Sequence, residues 1–192
     1  MSQITAADVK RVADGYSTDP SNSQSLNAEA YIDQKWFDAE IKAFFAKTWQ
    51  WVCHVEKLRD PGNYIAVDIA GAPIVVVRNR EGELRAFYNV CKHRAHELVT
   101  GSGTTKNLVC PYHAWTFGLN GELKAARRAD QMDNFDKGTI CLDKVQVEEF
   151  CGFVYVNLDG TAKPLAEQAG DLKREIEYWA PGVEKLTLAK RL

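Results

Sequence analysis

Two Cys/His pairs within one short segment limit what this chain can become more than any other feature. In CKHRAHELVTGSGTTKNLVCPYH, Cys91 to His113, the first pair is Cys91 and His93, the second is Cys110 and His113, and sixteen residues lie between His93 and Cys110. The intervening ELVTGSGTTKN is too polar and glycine-rich for a core element, so packing does not explain the pairs. Thiolate and imidazole bind borderline and soft metals, and four such donors on two loops define a closed site. A zinc finger normally sets Cys with Cys and His with His, each pair on its own element. Here each segment carries one of each. That mixture fits a two-iron cluster in which one iron takes both thiolates and the other both imidazoles. A structural zinc ion held by the same four residues is the alternative.

A scaffold must bring the two segments together, and the patterning is that of short strands. WQWVCHV, NYIAVDI, PIVVVRN, LRAFYNV, KVQVEEF and GFVYVNL are β-branched and aromatic, and turn formers such as Asp60-Pro61-Gly62 and Arg80-Glu81-Gly82 separate them. Asn120-Gly121 after HAWTFGL is the strongest hairpin signal. Short strands at close spacing predict a mainly β fold, an antiparallel sandwich or barrel with both Cys/His pairs on loops between strands. Helices are expected at either side. From Trp36, the residues Phe37, Ile41, Phe44 and Phe45 fall at helical spacing toward Trp49; after Pro164, read as a favourable first helical residue, Leu165, Leu172, Ile176 and Trp179 mark an exit helix. STDPSNSQS, 17–25, reads as loop or disorder.

With 192 residues, 45% of them hydrophobic, one core with appendages is expected. A net charge of −2 suggests no nucleic-acid partner. The sequence shows neither a signal-peptide pattern nor an apolar run long enough for a membrane span, so a cytoplasmic protein without membrane contact is expected. Its five cysteines then read as thiols or ligands rather than disulfides. Cys53 reads as a buried thiol beside an ordinary His54, and Cys141 and Cys151 as core thiols. Tyr112 and Trp115 are expected to wall the second pair from solvent, and Gly101-Ser102-Gly103 to form a turn. The acidic run Asp130 to Asp136 has no His beside it and reads as a solvated loop.

At Cys91, His93, Cys110 and His113 the chain resembles the Rieske [2Fe–2S] family, whose pattern is C-x-H, about sixteen residues, then C-x-x-H. The resemblance implies these four as ligands of a [2Fe–2S] cluster. In the respiratory-chain type each loop has a further cysteine, three residues after the first His and one before the second, and the two form a disulfide. This chain has His96 and Tyr112 there. It therefore resembles the ferredoxin and oxygenase type, for which fewer hydrogen bonds to the cluster sulfurs imply a potential toward the low end of the Rieske range.

Within that type, CPYHAWTFGLNGELKAAR (110–127) resembles the C-P-Y-H-x-W-x-F/Y-x-L-D-G-x-L run of Rieske non-haem iron oxygenase α subunits of the aromatic-ring-hydroxylating type, and YNVCKHRA (88–95) their Y-N-x-C-x-H-R-G. Two departures bear on the local backbone and not on the ligation: Ala95 and Ala114 stand where glycine is frequent. The PYHAWTF run and Ala126-Arg127 are most similar to members acting on quaternary ammonium compounds. A mono- or dioxygenase component is implied, passing electrons from a reductase or ferredoxin to a mononuclear Fe(II), usually in a neighbouring subunit of a homotrimer. That iron takes two His, usually H-x4-H, and a carboxylate. The two histidines left after the cluster, His54 and His96, do not have that spacing. The expected division is an N-terminal arm, partly disordered, over 1–35; the Rieske domain with its leading helix over 36–160; and over 161–192 an exit helix and, in KLTLAKRL, the first strand of a catalytic domain the sequence lacks. The alternative is a stand-alone Rieske ferredoxin. From Cys91 to Arg128, six basic residues (Lys92, Arg94, Lys106, Lys124, Arg127, Arg128) face two acidic ones, Glu97 and Glu122, a basic collar suited to an acidic donor.

Overall fold

A strand with both faces covered has no polar side to show, and PIVVV is such a strand. In the computed structural model, which describes residues 4–129, 134–187 and 189, this run lies in β3 (Ala72–Arg78), between β2 (Asn63–Ile69) and β4 (Leu84–Tyr88). Ile74 and Val76 enter one core with Val52, Cys53, Leu58, Val154 and Val156. Val75 and Val77, on the opposite face, enter a second core with Phe87, Leu108 and Phe117. All four β3 side chains are fully buried, so period-two alternation places two layers on one strand.

Around β3 the described residues form two antiparallel sheets. The larger adds β1 (Gln50–His54), β5 (Ser102–Thr104), β9 (Lys144–Phe150) and β10 (Phe153–Asn157), in the order β1-β10-β9-β4-β3-β2-β5. The smaller joins β6 (Leu108–Val109), β7 (Thr116–Phe117) and β8 (Leu123–Ala125) in sequence order. This is the mainly β, antiparallel architecture expected from the sequence. The second core, beneath the small sheet, also takes in Cys91, Cys110 and Trp115.

Turn chemistry sets the registers. Cys151-Gly152 joins β9 to β10 with both residues left-handed, φ 50° and 78°, as a two-residue hairpin whose twist matches its strands requires. Asn120-Gly121 makes a different turn. Gly121 donates to the Gly118 carbonyl at 3.0 Å, and within Gly118 to Gly121 only Gly121 (φ 92°) is left-handed, so β7 and β8 are linked by a four-residue turn with a bulge.

Several expectations are corrected. Ser102–Thr104 is not turn but an edge strand, pairing with Asn63, Tyr64 and Ile65 of β2. The exit helix is two short helices, α4 (Leu165–Gln168) and α5 (Leu172–Trp179), interrupted at Gly170, whose φ of 53° ends a right-handed helix; Pro164 is the residue before α4, not its first. Cys141 is exposed and Cys151 half-buried, because each sits in a connection rather than on a strand face. In KLTLAKRL, Lys185 closes a 3₁₀ turn and Leu186 is 60% exposed and unpaired with any strand; Leu188 and Lys190 to Leu192 lie outside the described residues. Asp130 to Asp133 of the acidic run do so as well.

Chain contacts divide the molecule into two compact units, Met1–Ala46 and Lys47–Leu192. Among the described residues the first holds α1 (Ala6–Val12), α2 (Glu29–Ile32) and α3 (Gln34–Glu40), the last continuing as a π-helical turn, Ile41–Phe45. The helix read from Trp36 onward thus belongs to the N-terminal unit rather than to the β domain. Thr5 and Asp8 cap α1 reciprocally, and Arg11 bridges Asp8 (2.8 Å) and Glu29 (2.6 Å). Among the described residues, no helix is long and apolar enough to cross a membrane.

Candidate metal centre

Each Cys/His pair sits on a turn closed in the same way. After β4, the Ala95 N–H donates to the Cys91 carbonyl (2.9 Å) and the Cys91 N–H to the His96 carbonyl (2.8 Å). Between β6 and β7, Ala114 donates to Cys110 (2.9 Å) and Cys110 to Trp115 (2.8 Å). The fifth residue of each turn is left-handed, Ala95 at φ 54° and Ala114 at φ 57°, the conformation glycine adopts freely and alanine at a cost of roughly 1–2 kcal/mol. At both departures from the family pattern, then, the backbone holds the conformation that favours glycine.

The first loop is also clasped at its base. Asn89, fully buried, donates to the Val99 carbonyl (2.7 Å) and accepts from the N–H groups of Leu98 and Val99 (3.2 Å each). Reading for metal ligands did not single out Asn89; its only signal was its place in the quoted YNVCKHRA.

The two turns bring the four candidate donors together in pairs. Cys91 and Cys110 are each 2% exposed and face one another. Burial pushes the Cys91 thiol up, a backbone N–H from His93 pulls it down, and the neighbouring Cys110 adds to the rise. The His93 and His113 rings lie 4.7 Å apart at 70°. Nδ1 of His113 is buried without a hydrogen-bond partner, and burial, then the charges of His93 and Arg94, hold this imidazole below its ordinary pKa. Two desolvated thiols and an orphaned imidazole nitrogen are groups that metal ligation would satisfy, so the donor set fits a two-iron cluster. Among the described residues, no three Cys, His, Asp or Glu side chains converge on a point for one ion.

Trp115 is buried and stacks on His93 at 5.0 Å and 9°. Tyr112 lies over His113 at 3.9 Å and is itself 55% exposed, so of the two expected walls Trp115 belongs to the core and Tyr112 faces solvent. The other candidates stay apart. Cys53 is buried in the first core. Nδ1 of His54 accepts from the Glu56 N–H (3.2 Å), leaving Nε2–H to donate to the Val183 carbonyl (2.8 Å), a structural tie to the exit segment. On the imidazole side a cleft of ≈ 880 Å³ is lined by His93, His113, Trp115, Arg94, Arg127 and Arg128. The basic collar divides: Lys92 pairs with Asp143 and Lys124 with Glu122, whereas among the described residues no ion pair engages the three arginines.

The sheets and the paired loops define a Rieske [2Fe–2S] domain, and residues 48–136 match the profile of that family. The homologues are Rieske oxygenase α subunits. The carnitine monooxygenase oxygenase subunit of Acinetobacter pittii (strain PHEA-2) is 38% identical over 184 residues, covering 95% of this chain and 50% of that protein. The large oxygenase component of the naphthalene 1,2-dioxygenase system of Pseudomonas putida is 36% identical over 143 residues, covering 72% and 32%. Among solved structures, the apo form of the quaternary ammonium Rieske monooxygenase CntA superposes with a TM-score of 0.80 at 39% identity, over 85% of this chain and 48% of that one. The chain spans about half the length of the curated relatives that match over most of it.

Proposed function

We propose that this chain is the electron-relay part of a Rieske oxygenase subunit, with Cys91 and Cys110 holding one iron of a [2Fe–2S] cluster and His93 and His113 the other. The observation that carries this is the meeting of two buried thiols and two facing imidazoles on turns with the same hydrogen-bond closure. When bound, the cluster supplies one-electron transfer between a donor and a mononuclear non-haem iron centre, for O2-dependent hydroxylation or demethylation of a small organic substrate. The chain's own residues do the rest. The second core and Trp115 exclude water from the thiols and from one imidazole face. Arg94, Arg127 and Arg128 leave the imidazole edge cationic and open, suited to the acidic face of a reductase or ferredoxin. The carnitine monooxygenase relatives and CntA support a quaternary ammonium substrate, and the inter-subunit electron transfer described for a quaternary ammonium Rieske monooxygenase supports passage of electrons between subunits; a homo-oligomer is part of the same proposal.

Reconstituted protein should bind about two irons and two labile sulfides per chain with no stoichiometric zinc. Alanine at Cys91, His93, Cys110 or His113 should abolish the two-iron spectrum. A His93→Ala protein that keeps that spectrum, or wild-type protein that binds zinc and no sulfide, overturns the assignment. Reversing charge at Arg94 and Arg127 should slow reduction by an acidic ferredoxin and flatten its salt dependence; an unchanged rate at low salt rejects the docking surface.

A further inference from the structure

Ligand counting leaves His96 idle, yet its ring begins a continuous series across the site. His96 lies 5.8 Å from Tyr112, Tyr112 3.9 Å from His113, His113 4.7 Å from His93, and His93 5.0 Å from Trp115. The series starts on the first loop, crosses to the second at Tyr112, returns at His93 and crosses again at Trp115. Each loop closes its backbone hydrogen bonds on itself. Apart from the facing thiols, no hydrogen bond among the described residues joins 91–97 to 110–115. The ring contacts therefore link the two loops in addition to the core on which both pack. At Trp115 the series reaches the second core, while His93 itself is exposed. The other end, His96 and Tyr112, faces solvent.

We propose that His96 and Tyr112 are positioning residues: their contact ties the outer ends of the two ligand loops together and sets the plane of the His113 imidazole, on which Tyr112 lies. The His96 ring is not free to swing, because its Nδ1–H donates to the Glu97 carbonyl at 2.7 Å. A ring separation of 5.8 Å at 48° falls within the range of attractive aromatic pairs. These are the two positions at which the respiratory type places its cysteines, so a non-covalent tie stands where that type has a covalent one. The role rests on the ligand assignment proposed above.

In cluster-loaded protein, His96→Ala and Tyr112→Ala should each speed iron release to a chelator by about two- to tenfold, the scale of such a ring pair. The double variant should release iron no faster than the faster single, as for residues acting through one contact. The midpoint potential and the anisotropy of the electron paramagnetic resonance spectrum should move in both single variants, and His96→Phe, which keeps a ring, should restore them. Unchanged release, additive rates or unmoved potentials overturn the role. The pair His96→Cys/Tyr112→Cys gives an independent arm: on oxidation the introduced thiols should disappear from a thiol titration and iron release should slow, with dithiothreitol reversing both. Cysteines that stay reduced under oxidant show that the loops do not meet there, and they too overturn it. Wild-type protein without a two-iron cluster would fail the ligand assignment instead, which separates the two outcomes.

Discussion

Asn89 serves the site without touching a candidate donor. Both ends of its amide are engaged inside the protein, holding the backbone of Leu98 and Val99 at the far end of the first ligand loop. Asn89→Ala strands the buried Leu98 N–H and the half-buried Val99 N–H and carbonyl, and buried groups left unpaired cost about 1–3 kcal/mol each, less where water reaches them. A loss of about 2–4 kcal/mol is expected from denaturant midpoints; a loss below about 1 kcal/mol would show that the clasp is redundant. The left-handed alanines predict the opposite sign. Glycine at Ala95 or Ala114 relieves roughly 1–2 kcal/mol of backbone strain and forfeits about 0.5–1 kcal/mol to the freer unfolded chain. Each substitution should be neutral or stabilise by up to about 1 kcal/mol, and clear destabilisation by either would mean that the methyl group packs usefully. The four candidate ligands were legible because metal chemistry restricts residue type and spacing together. Asn89 and the His96–Tyr112 contact were not, since no spacing along a chain states which side chains meet across two loops.

At the level of elements, what could be read depended on side chains having something to bury. β2, β3, β4, β9 and β10 were legible because their β-branched or aromatic residues fill one or both cores. β5 was not: Ser102, Gly103 and Thr104 are exposed and bury no apolar side chain, and the missing Cβ of Gly103 leaves room for the Tyr64 ring, which would approach one at 3.3 Å. The helix Ala6–Val12 was equally silent, since Val12 is its one buried residue and capping and ion pairs do the rest. The exit segment illustrates a tertiary constraint on a turn. Gly152 lies under it with φ 78°, and a Cβ there would come within 2.5 Å of the Glu184 Cα. Gly152→Ala must therefore tighten a left-handed hairpin residue against backbone. It should destabilise by about 2 kcal/mol or more and raise hydrogen exchange around Val183 to Lys185, where His54 also holds the chain. Exchange confined to the hairpin would mean that the exit segment is held elsewhere.

For the whole molecule, the buried thiol and the N-terminal ion pairs set the two ends of the pH range. Burial pushes Cys53 from an ordinary 9.0 up to about 11, so the folded state keeps a proton that the unfolded chain gives up. Its contribution is complete below pH 9.0 and is lost as pH rises through about 11. The Cys53→Ala variant should therefore show a shallower alkaline fall in stability than wild type over that window; parallel curves would mean that the thiol ionises in the folded state. In the N-terminal unit the sign reverses. Hydrogen bonds from Arg11 and then Lys35 lower Glu29 from 4.5 to about 2, so stability present above pH 4.5 is lost as pH falls toward 2, and amide protection in the helices at 6–12 and 29–32 should decline over that range. Protection that persists unchanged at pH 2 would show that the ion pairs are incidental.

The widest prediction concerns what the chain does alone. Oxygen activation needs an iron with open coordination positions, whereas each iron of a Rieske cluster is already filled by bridging sulfides and two protein ligands. A facial site needs two further histidines and a carboxylate. The sequence has four histidines. With His93 and His113 assigned to the cluster, His54 has both ring nitrogens engaged by backbone, and His96 lies against Tyr112 on a ligand loop. Neither has a second histidine at the spacing that site requires. The 192-residue protein, loaded with its cluster and given a reductase, Fe(II), O2 and either a quaternary ammonium compound or an arene, should be reduced and reoxidised without forming product. Product analysis beside oxygen uptake decides it: hydroxylated or demethylated product in proportion to O2 consumed would reveal an iron site that the histidine count does not allow.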